Sequence, residues 1–206
     1  MDLYFSPMSC SLASRIALHE AGVEARFHEV VLTTRRTRGG ADYLAINPMG
    51  QVPALVLEDG EVLTEGAAVL QYIADRAPEA GLAPPPGAMA RTRLQQWLNY
   101  IAVEIHRTVF HPLFNPGPPP EAMAYARSVV GVRYDLVSRH LEGREYLVGE
   151  RFTVADAYLT TTLMWARAAG IDLAPWPVLG AYRKRMLARP AVARAVSEEM
   201  ALFAPA

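Results

Sequence analysis

Hydrophobic and polar positions change period several times in the first 78 residues, then settle into a helical rhythm. Leu3-Tyr4-Phe5 alternates like a strand and is punctuated by Pro7. From Ser11 to Ala21 the apolar positions Ile16, Ala17 and Leu18 build a helix face, and Gly22 stops it. A second strand is predicted over Phe27 to Leu32. Ala54-Leu55-Val56-Leu57 and Val62-Leu63 flank Asp59-Gly60, a hairpin signal. Glu65 to Arg76 is helical again, with Val69, Leu70, Tyr72 and Ile73 able to pack. Strands interleaved with helices predict a small α/β sandwich.

The stretch from Pro78 to Gly87 is rich in proline and glycine and reads as a linker. Beyond it Leu94, Trp97, Leu98, Ile101, Ile105 and Val109 recur at three- and four-residue spacings, one buried helical stripe. Pro116 to Pro120 breaks the chain. Further helices are predicted over Glu121 to Leu141 and Val154 to Ala169, with shorter ones on either side of Arg189-Pro190. The predicted division is therefore an α/β domain over 1–78, a linker over 79–88 and an all-helical domain over 89–206.

Of the 206 residues, 51% are hydrophobic and 20% charged, the balance of a globular protein and not of a disordered one. The net charge of −1 supplies no global field for nucleic acid or acidic membranes. Met1 to Arg15 lacks the basic start and long apolar run of a secretory signal, and Ala157 to Ala166 is too short to span a bilayer. With a single cysteine no internal disulfide can form, which fits a reducing cytoplasm.

That cysteine, Cys10, is placed where the first helix should begin. Unpaired N–H groups and the positive end of the helix dipole there favour a thiolate, hence a nucleophile or a thiol-exchange partner. A small buried hydrophobe is the alternative. Ala13 removes a CxxC partner, so any redox role is monothiol. In Asn47-Pro48-Met49-Gly50-Gln51-Val52-Pro53 a cis Val52–Pro53 bond would offer the Val52 N–H and C=O to an extended peptide. A proline-terminated strand would explain the same residues. At Thr64-Glu65-Gly66 a helix start could bind a carboxylate while Glu65 takes an ammonium, or both polar residues simply cap the helix. Thr153-Val154-Ala155-Asp156 is a capping box and reads as structural. Asn99 and His106, seven residues apart, fall on nearly one helix face with Val103 between them and Glu104 turned away.

Taken in order, Tyr4-Phe5-Ser6-Pro7, Cys10-Ser11-Leu12, Asp42 to Pro48, Val52-Pro53-Ala54-Leu55 and Leu63-Thr64-Glu65-Gly66 resemble the cytosolic glutathione transferases, the bacterial beta class in particular. The resemblance spans nearly the whole chain. It implies a thioredoxin-like N-terminal domain followed by an all-helical C-terminal domain. It implies an enzyme that joins reduced glutathione, a co-substrate, to small hydrophobic electrophiles, with no permanently bound cofactor and no metal. Cys10 and His106 become the catalytic candidates, Cys10 at the glutathione sulfur. Val52 would pair with the cysteinyl backbone, Glu65 and Gly66 with the γ-glutamyl end, and Arg35 with the glycine carboxylate. Asn99, Val103, Ile105 and His106 would line the substrate cleft, and Glu104 would reach a neighbouring subunit's ligand, since the family is dimeric. Gly66 stands where the family usually has Ser, Phe5 where some members have Tyr, and Arg107 where Lys is frequent. A Cys10-dependent disulfide reductase or peroxidase, and a non-catalytic carrier of hydrophobic ligands, are the competing functions.

Overall fold

A computed structural model describes residues 1–114 and 117–203. The chain forms two compact units. Unit 1 comprises Met1–Ala83 together with the chain from Arg189 onward, and unit 2 comprises Pro84–Ala188.

Unit 1 is built on a five-stranded sheet in the order β3-β2-β1-β4-β5. The strands are β1 (Asp2–Phe5), β2 (Arg26–Val31), β3 (Arg36–Thr37), β4 (Ala54–Val56) and β5 (Val62–Leu63). The helix α1 (Leu12–Ala21) crosses from β1 to β2, which therefore pair in parallel, Leu3 opposite Phe27. The other pairings are antiparallel, with Leu3 opposite Leu55 and Leu55 opposite Leu63. Alternation along β1 sends Leu3 and Phe5 into the core and Tyr4 to the other face. Gly22 ends α1 in the left-handed region, and its N–H and that of Val23 close onto His19 and Leu18 carbonyls. The helix α2 (Gly66–Arg76) buries Val69, Leu70 and Ile73.

Unit 2 contains α3 (Met89–Tyr100), α4 (His111–Phe114), α5 (Pro120–Leu141), α6 (Val154–Met164) and α7 (Pro177–Leu187). Of the Pro116 to Pro120 break, Pro116 lies outside the described residues. The capping box forms as expected: Asp156 accepts from the Thr153 N–H and hydroxyl, both at 2.8 Å. Its other oxygen takes the Leu147 N–H at 2.9 Å and the Tyr182 hydroxyl at 2.7 Å. No helix among the described residues is long and apolar enough to cross a membrane.

The fold departs from the sequence-based expectations at several points, and α6 ends at Met164 where a helix to Ala169 is expected. The strand β3 was not foreseen. The stretch Ile101–Phe110, expected as plain α-helix, is π-wound: the His111 N–H reaches back five residues to the His106 carbonyl. The last helix, α8 (Pro190–Met200), does not join the other helices but packs on α1, burying Val192, Ala195 and Glu199 in unit 1.

Candidate active site

The turn between β1 and α1 is tied by serines. The buried Ser11 hydroxyl accepts the Ser6 N–H at 3.1 Å and donates to the Ser6 carbonyl at 3.2 Å, with Ser9 Oγ 2.8 Å away. Met8 within the turn has φ 59°. Helix α1 begins at Leu12 with Ser11 as its N-cap, so Cys10 stands just outside the helix. The Cys10 thiol donates to the Val52 carbonyl at 3.0 Å.

This contact favours the protonated thiol over the expected thiolate. Burial pushes the Cys10 thiol up to about 11. Hydrogen bonds from its own N–H, Ser9 and the Ser11 N–H pull the other way, and the Glu65 charge adds to the rise. A carbonyl can only accept, so the Val52 oxygen favours the protonated sulfur. Position next to a helix start is outweighed by loss of water.

The Val52–Pro53 bond is cis. The loop before it is fixed through Gln51, whose carbonyl accepts from the Tyr43 hydroxyl at 2.6 Å and the Asn47 amide at 2.8 Å. Arg35 donates to the Gly50 carbonyl. Gly50 has φ 62°, which favours glycine, and a Cβ there would sit 3.1 Å from the side-chain atoms Arg35 Cδ and Leu44 Cδ2, which would have to shift. The Val52 N–H meets no acceptor among the described residues.

Glu65 precedes α2 with φ 63° and ψ 112°, an uncommon conformation for a non-glycine residue, and its carboxylate is exposed and makes no cap. Its carbonyl accepts the N–H groups of Ala68 and Val69. The N–H groups of Gly66 and Ala67 find no acceptor among the described residues. A Cβ on Gly66 would lie 3.8 Å from Pro53 Cδ, so the α2 start adjoins the cis-proline. Unit 1 thus brings Cys10, Val52, Glu65 and Gly66 together, with Arg35 joined through the Gly50 loop.

The unit 2 candidates are arranged differently from the helical-face reading. Asn99 and Val103 are exposed, whereas Ile105 is fully buried and offers no surface to a ligand. That corrects its assignment as a cleft residue. Glu104 accepts from Arg133 at 2.9 Å. His106 Nδ1 lies 2.8 Å from the Tyr158 hydroxyl, and its ring meets Trp165 edge-on at 5.0 Å. Burial, with His111 and Arg107 adding to it, lowers His106 to about 4 and keeps its imidazole neutral at ordinary pH. The π winding removes the seven-residue alignment that put Asn99 and His106 on one face. A groove of about 730 Å³ lined by Arg93, Trp97, His140 and Arg144 lies within unit 2 and contains none of these candidates. Among the described residues no cluster of His, Cys, Asp or Glu could hold a metal ion.

The sequence reading missed Ser9, Ser11, Tyr43 and Asn47 as supports of the site. Ser11, Tyr43 and Asn47 lie in the matching motifs, but nothing local shows which carbonyls their side chains bind.

The chain matches the family model for the glutathione S-transferase N-terminal domain over residues 7–76 and that for the C-terminal domain over residues 101–190. The chain belongs to the glutathione S-transferase family. It is 43% identical over 199 residues to glutathione S-transferase GstA of Escherichia coli O157:H7, covering 97% of this chain and 98% of that one. It superposes on BphK, a bacterial glutathione S-transferase solved as a ternary complex, with a TM-score of 0.95 and 46% identity over 97% and 100% of the two chains. A sphingomonad glutathione S-transferase complexed with glutathione gives 0.93 and 44% over 97% and 99%. The beta-class enzyme of Sphingomonas chungbukensis gives 0.93 and 43% over 97% and 98%. Unit 1 carries the thioredoxin-like mixed sheet of this transferase fold, and the protein is a transferase enzyme.

Proposed function

We propose that this transferase binds reduced glutathione on unit 1 and joins its sulfur to small hydrophobic electrophiles. One observation carries the reading. A Val52 N–H beside a cis-proline and two N–H groups at the start of α2, all without acceptors among the described residues, converge with an exposed Glu65 carboxylate around a protonated cysteine. A tripeptide with an extended cysteinyl backbone, an α-carboxylate and an ammonium complements that set. The structural relative holding glutathione supports the same ligand.

In this reading Val52 pairs with the cysteinyl backbone. The Gly66 and Ala67 N–H groups take the γ-glutamyl carboxylate, Glu65 its ammonium, and Arg35 the glycine carboxylate. The incoming N–H of glutathione competes for the Val52 carbonyl and frees the Cys10 S–H to donate to the glutathione sulfur. Cys10 then acts as a hydrogen-bond donor that favours the glutathione thiolate, whose proton leaves to solvent. The thiolate forms the new S–C bond as the electrophile's leaving group departs with its electron pair, or as a conjugated acceptor takes up the charge and a proton. Bound geometry supplies the remaining advantage. A thiol that stays protonated to about 11 favours this donor role over thiol–disulfide exchange, which needs a Cys10 thiolate.

Asn99, Val103, Glu104 and His106 remain as substrate-binding positions of unit 2, with neutral His106 able to orient but not to protonate a substrate at pH 7. A homodimer in the cytoplasm belongs to the same reading. Exposed Tyr125, Val132 and Leu136 on α5 support association. Titration calorimetry with reduced glutathione tests the reading, with saturable binding expected at millimolar concentration or below. No heat above dilution at 10-fold that level would overturn it. Conjugation of an activated chloroarene, followed with Cys10→Ala and Glu65→Ala, tests the roles.

A further inference from the structure

The turn that carries Cys10 is held from the far end of the chain. The Met8 N–H donates to Glu199 Oε2 at 2.6 Å. Glu199, on α8, is fully buried, and its Oε1 accepts Arg15 Nε–H at 3.0 Å. Arg15 is buried too, its guanidinium 4.3 Å from the Phe5 ring and 3.9 Å from the Phe27 ring. The other charged groups around this point are known. Arg15 also donates to Glu198 at 3.0 Å, and Glu198 is met by His19 from α1 and by Arg194 from its own helix, each at 2.7 Å. Arg189, at the start of α8, grips Glu20 of α1 through two hydrogen bonds.

Both Glu199 oxygens therefore face donors that cannot accept. An ionised carboxylate satisfies them together. A protonated one keeps one carbonyl oxygen, but its hydroxyl oxygen is the weaker acceptor, so the bond to the donor on that side weakens. Burial outweighs the Met8 N–H and Arg15 and pushes Glu199 up to about 7, so both forms are populated near neutral pH. Met8 sits at φ 59°, an uncommon conformation for a non-glycine residue.

We propose that Glu199 is a positioning residue for the Cys10 site: its carboxylate fixes the Met8 N–H at the outer side of the serine-tied turn that carries Cys10, and protonation of that carboxylate loosens this hold. The inference rests on Cys10 meeting the glutathione sulfur. Cys10 itself titrates far above this range, so a change near neutrality belongs to another group.

The test follows amide hydrogen exchange at Met8, corrected for intrinsic rates, at pH 5.5, 7 and 8.5, beside the KM for glutathione. In the wild type, Met8 protection should rise by about tenfold between pH 5.5 and 8.5, and KM should fall by about fivefold, the effect of one hydrogen bond. Glu199→Gln, uncharged and with an amide nitrogen that only donates, should show protection no higher than the low-pH wild type at every pH. Met8→Gly, which accepts positive φ without strain, should restore most of the KM lost in Glu199→Gln. Flat Met8 protection in the wild type overturns the proposal without any variant having to fold. An unchanged pH step in Glu199→Gln overturns it as well. A wild type that shows the Met8 step but binds no glutathione would sink the functional reading instead, leaving the Met8 hold without a catalytic purpose.

Discussion

Alkylation of Cys10 gives the structure a quantitative consequence. Only the thiolate reacts with iodoacetamide. An ordinary cysteine with pKa ~8.5 is about 3% ionised at pH 7, whereas a thiol pushed up to about 11 is about 0.01% ionised. Cys10 of the free enzyme should therefore be alkylated ~300-fold more slowly than a small free thiol at pH 7. The rate, read by mass spectrometry of the single cysteine, should climb about tenfold per pH unit to pH 10 without a plateau. Glu65→Gln removes the negative charge that adds to the rise and should speed the reaction. The sign follows from the geometry: desolvation and a carbonyl acceptor both disfavour the anion. A plateau below pH 8.5, or a rate equal to that of the free thiol, would refute the reasoning.

The remaining expectations concern stability and the loop. Asp156→Ala strips the partner from the Leu147 and Thr153 N–H groups and the Thr153 and Tyr182 hydroxyls, and should cost about 3–5 kcal/mol in urea unfolding; less than 1 kcal/mol would refute its role. Gly50→Ala forces a Cβ to 3.1 Å from Arg35 and Leu44 at φ 62°; it should cost about 1–3 kcal/mol and weaken glutathione binding, which calorimetry would read. Glu199 is raised from 4.5 to about 7, so its contribution to stability is full below pH 4.5 and is lost as pH rises through 7. Relative to Glu199→Gln, the wild type should therefore lose about 3 kcal/mol of unfolding free energy between pH 4.5 and 8, and no relative change would contradict the assignment.

Much of the fold was legible because local signals agreed with it. Period-two Leu3-Tyr4-Phe5, Gly22, the Asp59-Gly60 step and the Thr153–Asp156 box each had one local meaning, and the structure kept it. The two-residue β3 depends on pairing with distant Val30 and Val31, which no local period reveals. Ile101, Ile105, Val109 and Phe110 stand four and five apart, spacings compatible with both α and π winding. Glu198 and Glu199 look like surface acids, and only packing on Arg15 shows that one of them is interior. The same gap separates the site's residues from its chemistry. Val52-Pro53 and Glu65-Gly66 could be assigned to the site through the family resemblance of their motifs, but the protonation state of Cys10 depends on how much water the fold removes.

Which sulfur carries the charge in the complex decides the role of Cys10. Thiolate absorbance near 240 nm, titrated against pH for glutathione bound to the wild type and to Cys10→Ala, reads this directly. The expected result is a single thiolate in the wild type, belonging to glutathione and appearing at lower pH than in free glutathione, with its titration shifted upward by about one unit when the Cys10 donor is removed. A thiolate already present in the ligand-free enzyme at pH 7 and absent from Cys10→Ala would contradict it.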